Sequence, residues 1–148
     1  MKKLFLLLVF AVFGTALFAD NCPGDFVITN DGVFYFKNVR HGISNFLVCK
    51  KDNGEKVTFT KFEVQAYCKD GQRFEKMPVY KNNKLTDDYA FMRVLSYKNG
   101  LKLYEYTYNQ NSGSEESDYY VFKDDKLVVE VHRSNFESIK NFFKCDKK

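Results

Sequence analysis

The chain has 148 residues, 45% of them hydrophobic, with a net charge of +4. That is enough for one domain with a sizeable core, burying roughly two thirds of its unfolded surface. So balanced a charge, with no basic run interleaved with stacking aromatics, speaks against nucleic acid as a partner, and the absence of Trp among 18% aromatics weakens a sugar-binding reading.

In chain order, the first feature is an export signal. Met1-Lys2-Lys3 is followed by the uncharged run Leu4–Ala19. A basic start, an apolar middle and small residues at the end describe a cleavable leader. Cleavage is expected after Ala19, or after Ala16 with Gly14 at −3, and the loss of Lys2 and Lys3 lowers the net charge to +2. Leu4–Ala19 falls short of the ~20 residues that span a bilayer, and no later stretch is long and apolar enough to do so. Asp20 and Asn21 before Cys22 are wrong for a lipid-attachment signal. The reading is residues 1–19 as signal peptide and 20–148 as a single domain, periplasmic or secreted.

All four cysteines, Cys22, Cys49, Cys68 and Cys145, lie in that domain. An even count in an exported chain predicts two disulfides. Spacing leaves the pairing open. Cys49–Cys68 is disfavoured, because the Asn53-Gly54 turn sets Cys49 opposite Thr58 and roughly 33 Å of extended strand then separates it from Cys68. No close Cys or His pairs suggest a metal site.

The domain reads as a meander. Phe26–Asn30 and Val33–Val39 flank a turn at Asp31-Gly32. Ile43–Lys51 leads through Asp52-Asn53-Gly54 into Val57–Cys68, a run long enough to invite a bulge near Glu63–Gln65. Asp70-Gly71 turns into Arg73–Tyr80, where Pro78 argues for an edge position or a strand end. Lys81–Asp88 is polar and reads as an irregular connection, although Asn82 also looks like a turn residue.

Then comes the clearest signal: AFMRVLSY, Lys98-Asn99-Gly100, LKLYEYTY. Asn-Gly between two β-forming runs predicts a type I′ hairpin. Its register would set Leu95 opposite Tyr104, Arg93 opposite Tyr106 and Phe91 opposite Tyr108. One face would then be aromatic and basic; the other, with Met92, Val94, Leu101 and Leu103, would suit the core. A one-residue slip would exchange these roles.

Asn109–Asp118 reads as an acidic loop. Tyr119–Lys123 and Lys126–His132 make a last hairpin around Asp124-Asp125, with Tyr120, Phe122, Leu127, Val129 and Val131 on its core face. A terminal helix follows, capped by Ser134 with Glu137 three residues on. Phe136, Ile139, Phe142 and Phe143 form its apolar side, which should lie on the sheet. The fold class is mainly β: an antiparallel meander of about eight strands, a small barrel or a strongly twisted sheet, with one C-terminal α-helix. The outline is similar in shape to lipocalin-like barrels.

Nucleophile motifs, phosphate-cradling glycine loops and Cys-x-x-Cys are missing from the sequence. His41 and His132 stand without an identifiable orienting partner. The acidic groups Asp87-Asp88, Glu115-Glu116-Asp118 and Asp124-Asp125 read as solvated charge. No catalytic residue, metal or cofactor is expected. The candidate binding face is Arg93, Tyr104, Tyr106 and Tyr108, since Tyr and Arg are the residues that anchor interfaces. The expected function is an exported, non-enzymatic binding protein that contacts a protein or an envelope component. The alternative is a carrier holding a small apolar ligand in a barrel cavity, and a carboxylate-based hydrolase comes third.

Overall fold

The computed structural model describes residues 22–42, 46–109 and 113–144. The predicted leader, its cleavage site and Cys145 lie outside the described residues. Among the described residues, eleven strands and one helix follow in order: β1 (Asp25–Thr29), β2 (Gly32–Phe36), β3 (Asn38–His41), β4 (Phe46–Lys50), β5 (Lys56–Thr60), β6 (Val64–Lys69), β7 (Gln72–Lys81), β8 (Lys84–Lys98), β9 (Leu101–Asn109), β10 (Glu115–Lys123), β11 (Lys126–Glu130) and α1 (Phe136–Lys144). They form an eight-stranded sheet, in the order β11-β10-β9-β8-β7-β6-β1-β2, and a three-stranded sheet, β3-β4-β5. Every pairing is antiparallel. The large sheet is open, with β2 and β11 at its edges, so the barrel cavity expected of a carrier is not formed.

The tight turns sit where the turn residues sit. Asn99 and Gly100 have φ of 51° and 79°, and Asp70 and Gly71 have 52° and 76°. Asn82 and Asn83 have 53° and 60°, so Lys81–Asp88 is not an irregular connection but a hairpin turn entering β8. Asn tolerates this region because its short polar side chain can bond locally.

Two predicted strands divide instead. Val33–Val39 breaks at Lys37, whose backbone N–H donates to Lys50 O at 2.8 Å, and the chain steps from the large sheet to the small one. Val57–Cys68 breaks after Thr60. There Glu63 Oε2 accepts bonds from the Thr60 N–H at 2.8 Å and its hydroxyl at 2.7 Å, and β6 returns to the large sheet. Asp25 joins the two sheets, its carboxylate accepting from Val39 N at 2.8 Å and Asp70 N at 3.0 Å. The acidic stretch 115–118 is strand, not loop.

Burial is divided between two cores. Val27, Val39, Leu47, Cys49, Val64 and Tyr67 pack together with Phe36, Phe59, Phe74 and Phe91 between the two sheets. Met77, Val79, Met92, Tyr104, Tyr120 and Phe122 pack together with Tyr80 and Leu127. The registers Val27↔Tyr67, Tyr67↔Phe74 and Phe74↔Arg93 put the first core on one face, hereafter the front. Glu75↔Met92, Val94↔Tyr104 and Tyr104↔Tyr120 put the second on the back. A bulge pairs Phe122 with Leu127 but Val121 with Val129, so Val129 falls on the front instead of joining Tyr120 and Phe122.

One disulfide joins Cys22 to Cys68, with a Cα–Cα distance of 6.2 Å. Cys49 is a free thiol with no exposure, which corrects the expectation that it would be cross-linked. It lies on β4 of the small sheet, inside the first core, and burial pushes its thiol up to about 12.

The helix also departs from expectation. Its cap is Asn135, not Ser134: Ile139 N donates to Asn135 O at 3.1 Å, while the Asn135 side chain bonds back to His132 N and Glu130 O. None of its residues is buried, and Phe136 and Phe142 are 42% and 39% exposed. It meets the sheet at the β8–β9 turn, where Lys98 Nζ donates to Phe142 O at 2.8 Å and lies 5.0 Å from that ring's centre.

Candidate functional site

The predicted binding face does not form. The ladder starts at Lys98↔Leu101 and Tyr97↔Lys102, as the Asn-Gly turn demands, but a bulge at Leu95 shifts it. Beyond the bulge Val94 opposes Tyr104 and Arg93 opposes Glu105. Arg93 is thereby turned to the front, away from Tyr104, Tyr106 and Tyr108 on the back. Tyr104 is 1% exposed. Its hydroxyl donates to Glu75 Oε2, which also receives Lys102 Nζ at 2.9 Å, and Arg73 Nε donates to Glu75 Oε1 at 2.8 Å. Burial raises the Glu75 carboxyl, but the Tyr104 bond, the Lys102 charge and the Arg73 bond outweigh it and hold the group below the usual carboxylate range. This network braces the back of the sheet. Tyr104 therefore leaves the candidate site.

The other residues meet at a fork. β8 pairs with β9 only as far as Arg93↔Glu105. Upstream, residues 84–92 of β8 pair with β7 alone. Downstream, residues 106–109 of β9 pair with β10 alone. β7 leaves β6 after Glu75, so residues 76–92 make a two-stranded arm. Pro78, on that arm, has a ladder neighbour on one side only, as its missing N–H requires.

A bulge near Thr86–Asp88 bends the arm, Thr86 Oγ1 donating to Val79 O at 2.8 Å. The arm crosses the back of the sheet. Tyr80 meets Phe122 with ring centres 5.9 Å apart, and Asn83 N donates to Glu130 Oε1 of β11 at 3.0 Å. The second core is closed in this way.

Two grooves open from the fork. The front groove, about 1340 Å³, runs from His41 and Lys61 over Tyr67, Phe74, Phe91, Arg93 and Glu105 to Thr107 and Ser117. The back groove, about 820 Å³, lies between the arm and β9–β11. Asp88, Tyr89, Tyr106 and Tyr108 line both.

In the front groove Tyr67 stacks on Phe74 at 4.8 Å and meets Phe91 edge-on at 5.2 Å. Tyr67 Oη lies 2.7 Å from His41 Nε2. Burial, then Lys69 and Lys61, hold that imidazole below its ordinary value. At the vertex Arg93 pairs with Glu105 at 2.5 Å, Tyr119 donates to Glu105 at 3.1 Å, and Arg93 Nε is buried without a bond.

In the back groove the Tyr106 and Tyr108 rings lie 5.5 Å apart. Desolvation, then the Asp118 and Glu116 carboxylates, push the Tyr108 phenol up. Desolvation and then Asp118 do the same to Tyr120.

What reading the sequence missed is that two acidic stretches of separate segments come together. Asp87-Asp88 lie on the arm wall and Glu115, Glu116 and Asp118 on the β10 side. The available signal was Asn82-Asn83, a turn that makes residues 84–92 strand and sets Asp87 and Asp88 on it. Among the described residues no group of three or more His, Cys, Asp or Glu is arranged to hold a metal, and no helix is long and apolar enough to cross a membrane. Comparison with protein-family models, curated proteins and solved structures finds no match.

Proposed function

We propose that this is an exported, non-enzymatic binding protein of the bacterial periplasm or secretome, and that it contacts a protein or envelope component at the fork between β8 and β9. The observation carrying this reading is the parting of the two strands beyond Arg93↔Glu105. It bares two strand edges inside one sheet and joins an aromatic groove on each face. Unpaired strand edges are ready-made docking sites unless they are covered or blunted. Tyr89, on the rim of both grooves, is 67% exposed, and Tyr is among the residues that anchor interfaces. The Cys22–Cys68 bond and the leader-like start support an oxidising compartment.

A photo-crosslinking residue at position 89, in the natural cell, tests the site. A defined adduct is expected from position 89 and none from position 52, in the exposed turn between β4 and β5. No adduct from position 89, or equal adducts from both, overturns the assignment of the fork.

A further inference from the structure

We propose that the fork takes up an extended, basic segment of a partner polypeptide as an added strand, which rests on the reading of the fork as the contact site. Three observations converge on this occupant. First, the unfilled positions are backbone ones. Residues 106–109 of β9 and 84–92 of β8 each have a ladder partner on one side only. A chain segment in strand conformation supplies the matching N–H and C=O groups, as in other cases of strand addition to a sheet edge.

Second, the back groove is acidic. Asp88 stands on one side and Asp118 and Glu130 on the other, against Lys81 alone, while the front groove mixes Asp87, Asp88 and Glu115 with Lys61 and Lys76. Neither Asp88 nor Asp118 has an ion-pair partner among the described residues. Arg93, at the vertex, is already held by Glu105.

Third, the two grooves differ. The back groove offers the Tyr106 and Tyr108 rings beside Asp118, a setting that suits an ammonium or guanidinium group over an aromatic face. The front groove offers Phe74 and Phe91, both half-buried. Side chains of a strand point alternately to opposite faces. A segment alternating basic and apolar residues therefore sends its cations to the back and its apolar side chains to the front.

The experiment uses a capped hexapeptide of alternating Lys and Val, titrated calorimetrically against the full processed chain, with hydrogen exchange read at residues 106–108. Saturable one-to-one binding is expected, with new amide protection there. The Glu-Val counterpart should bind at least about tenfold more weakly. A Lys-Val peptide N-methylated at alternate residues should lose binding, because its backbone can no longer pair.

The double substitution Asp88→Asn with Asp118→Asn, at two exposed positions and with its unfolding midpoint matched against the parent chain, should weaken the Lys-Val peptide roughly fivefold. Equal binding of the Glu-Val peptide overturns the basic character. Undiminished binding of the N-methylated peptide overturns strand addition. No saturable binding overturns the proposal as a whole, while an adduct from position 89 in that case leaves the fork as an interface for a different occupant.

Discussion

At the β2–β1–β6 end the large sheet buries its front, Val27 and Tyr67, against a second sheet that supplies Val39, Leu47 and Cys49. At the β8–β11 end it buries its back, and Tyr104, Tyr120 and Phe122 are covered by an arm of the sheet itself, which brings Met77, Val79 and Met92. The first end is stapled by Cys22–Cys68 and tied by the Asp25 carboxylate. The second is clasped by one backbone-to-carboxylate bond and ring contacts. β7 and β8 span the crossover and carry apolar groups on both faces: Phe74 and Phe91 in front, Met77 and Met92 behind. Bending the arm over the back is also what parts β8 from β9. The fork is thus a consequence of how the second core is closed.

Breaking the staple has the largest expected effect. Reducing the bond between cysteines 46 residues apart should cost about 4 kcal/mol by loop-closure entropy, read as a lower urea midpoint under reductant. Amide exchange should quicken first in β1 and β6. Equal acceleration at β9 and β10 would mean that the two ends do not behave differently.

Next is the Glu75 network between the ends. Glu75→Ala leaves Arg73 and Lys102 in place without their carboxylate and should cost roughly 3 kcal/mol in chemical denaturation. Because the folded carboxyl titrates below its unfolded value, its contribution is present above the ordinary glutamate range and is lost as pH falls through the depressed folded value. Glu75→Gln should flatten that acid limb.

The clasp is weaker. Glu130→Ala removes the acceptor for Asn83 N and should cost about 1 kcal/mol. Its signature is faster exchange in residues 80–92 with no change at β4. His41 comes last. Its depressed value means that the fold favours neutral imidazole, so this contribution holds above the ordinary histidine range and fades as pH drops through it. The pH dependence near neutrality should shrink in His41→Gln, measured by thermal midpoint. A qualitative check accompanies these: Cys49 should resist iodoacetamide in the folded protein and react fully in denaturant, by mass spectrometry.

The β class, the terminal helix and the tight turns are legible in the residues alone. Positive φ at Asp70-Gly71, Asn99-Gly100 and Asp124 is a local demand that only a few residue types meet, so local chemistry announces it. Which face each strand buries follows instead from packing between distant segments. A bulge at Leu95 moves one residue out of step, and that single step sends Tyr104 into the core and sets Arg93 on the other side. Nothing within the hairpin favours this phase. It is set from outside, by Glu75 on β7, which receives the Tyr104 hydroxyl, and by the arm lying over Phe122 of β10. The partner of Cys68 follows the same rule, because two thiols meet only after the strands that carry them have been placed.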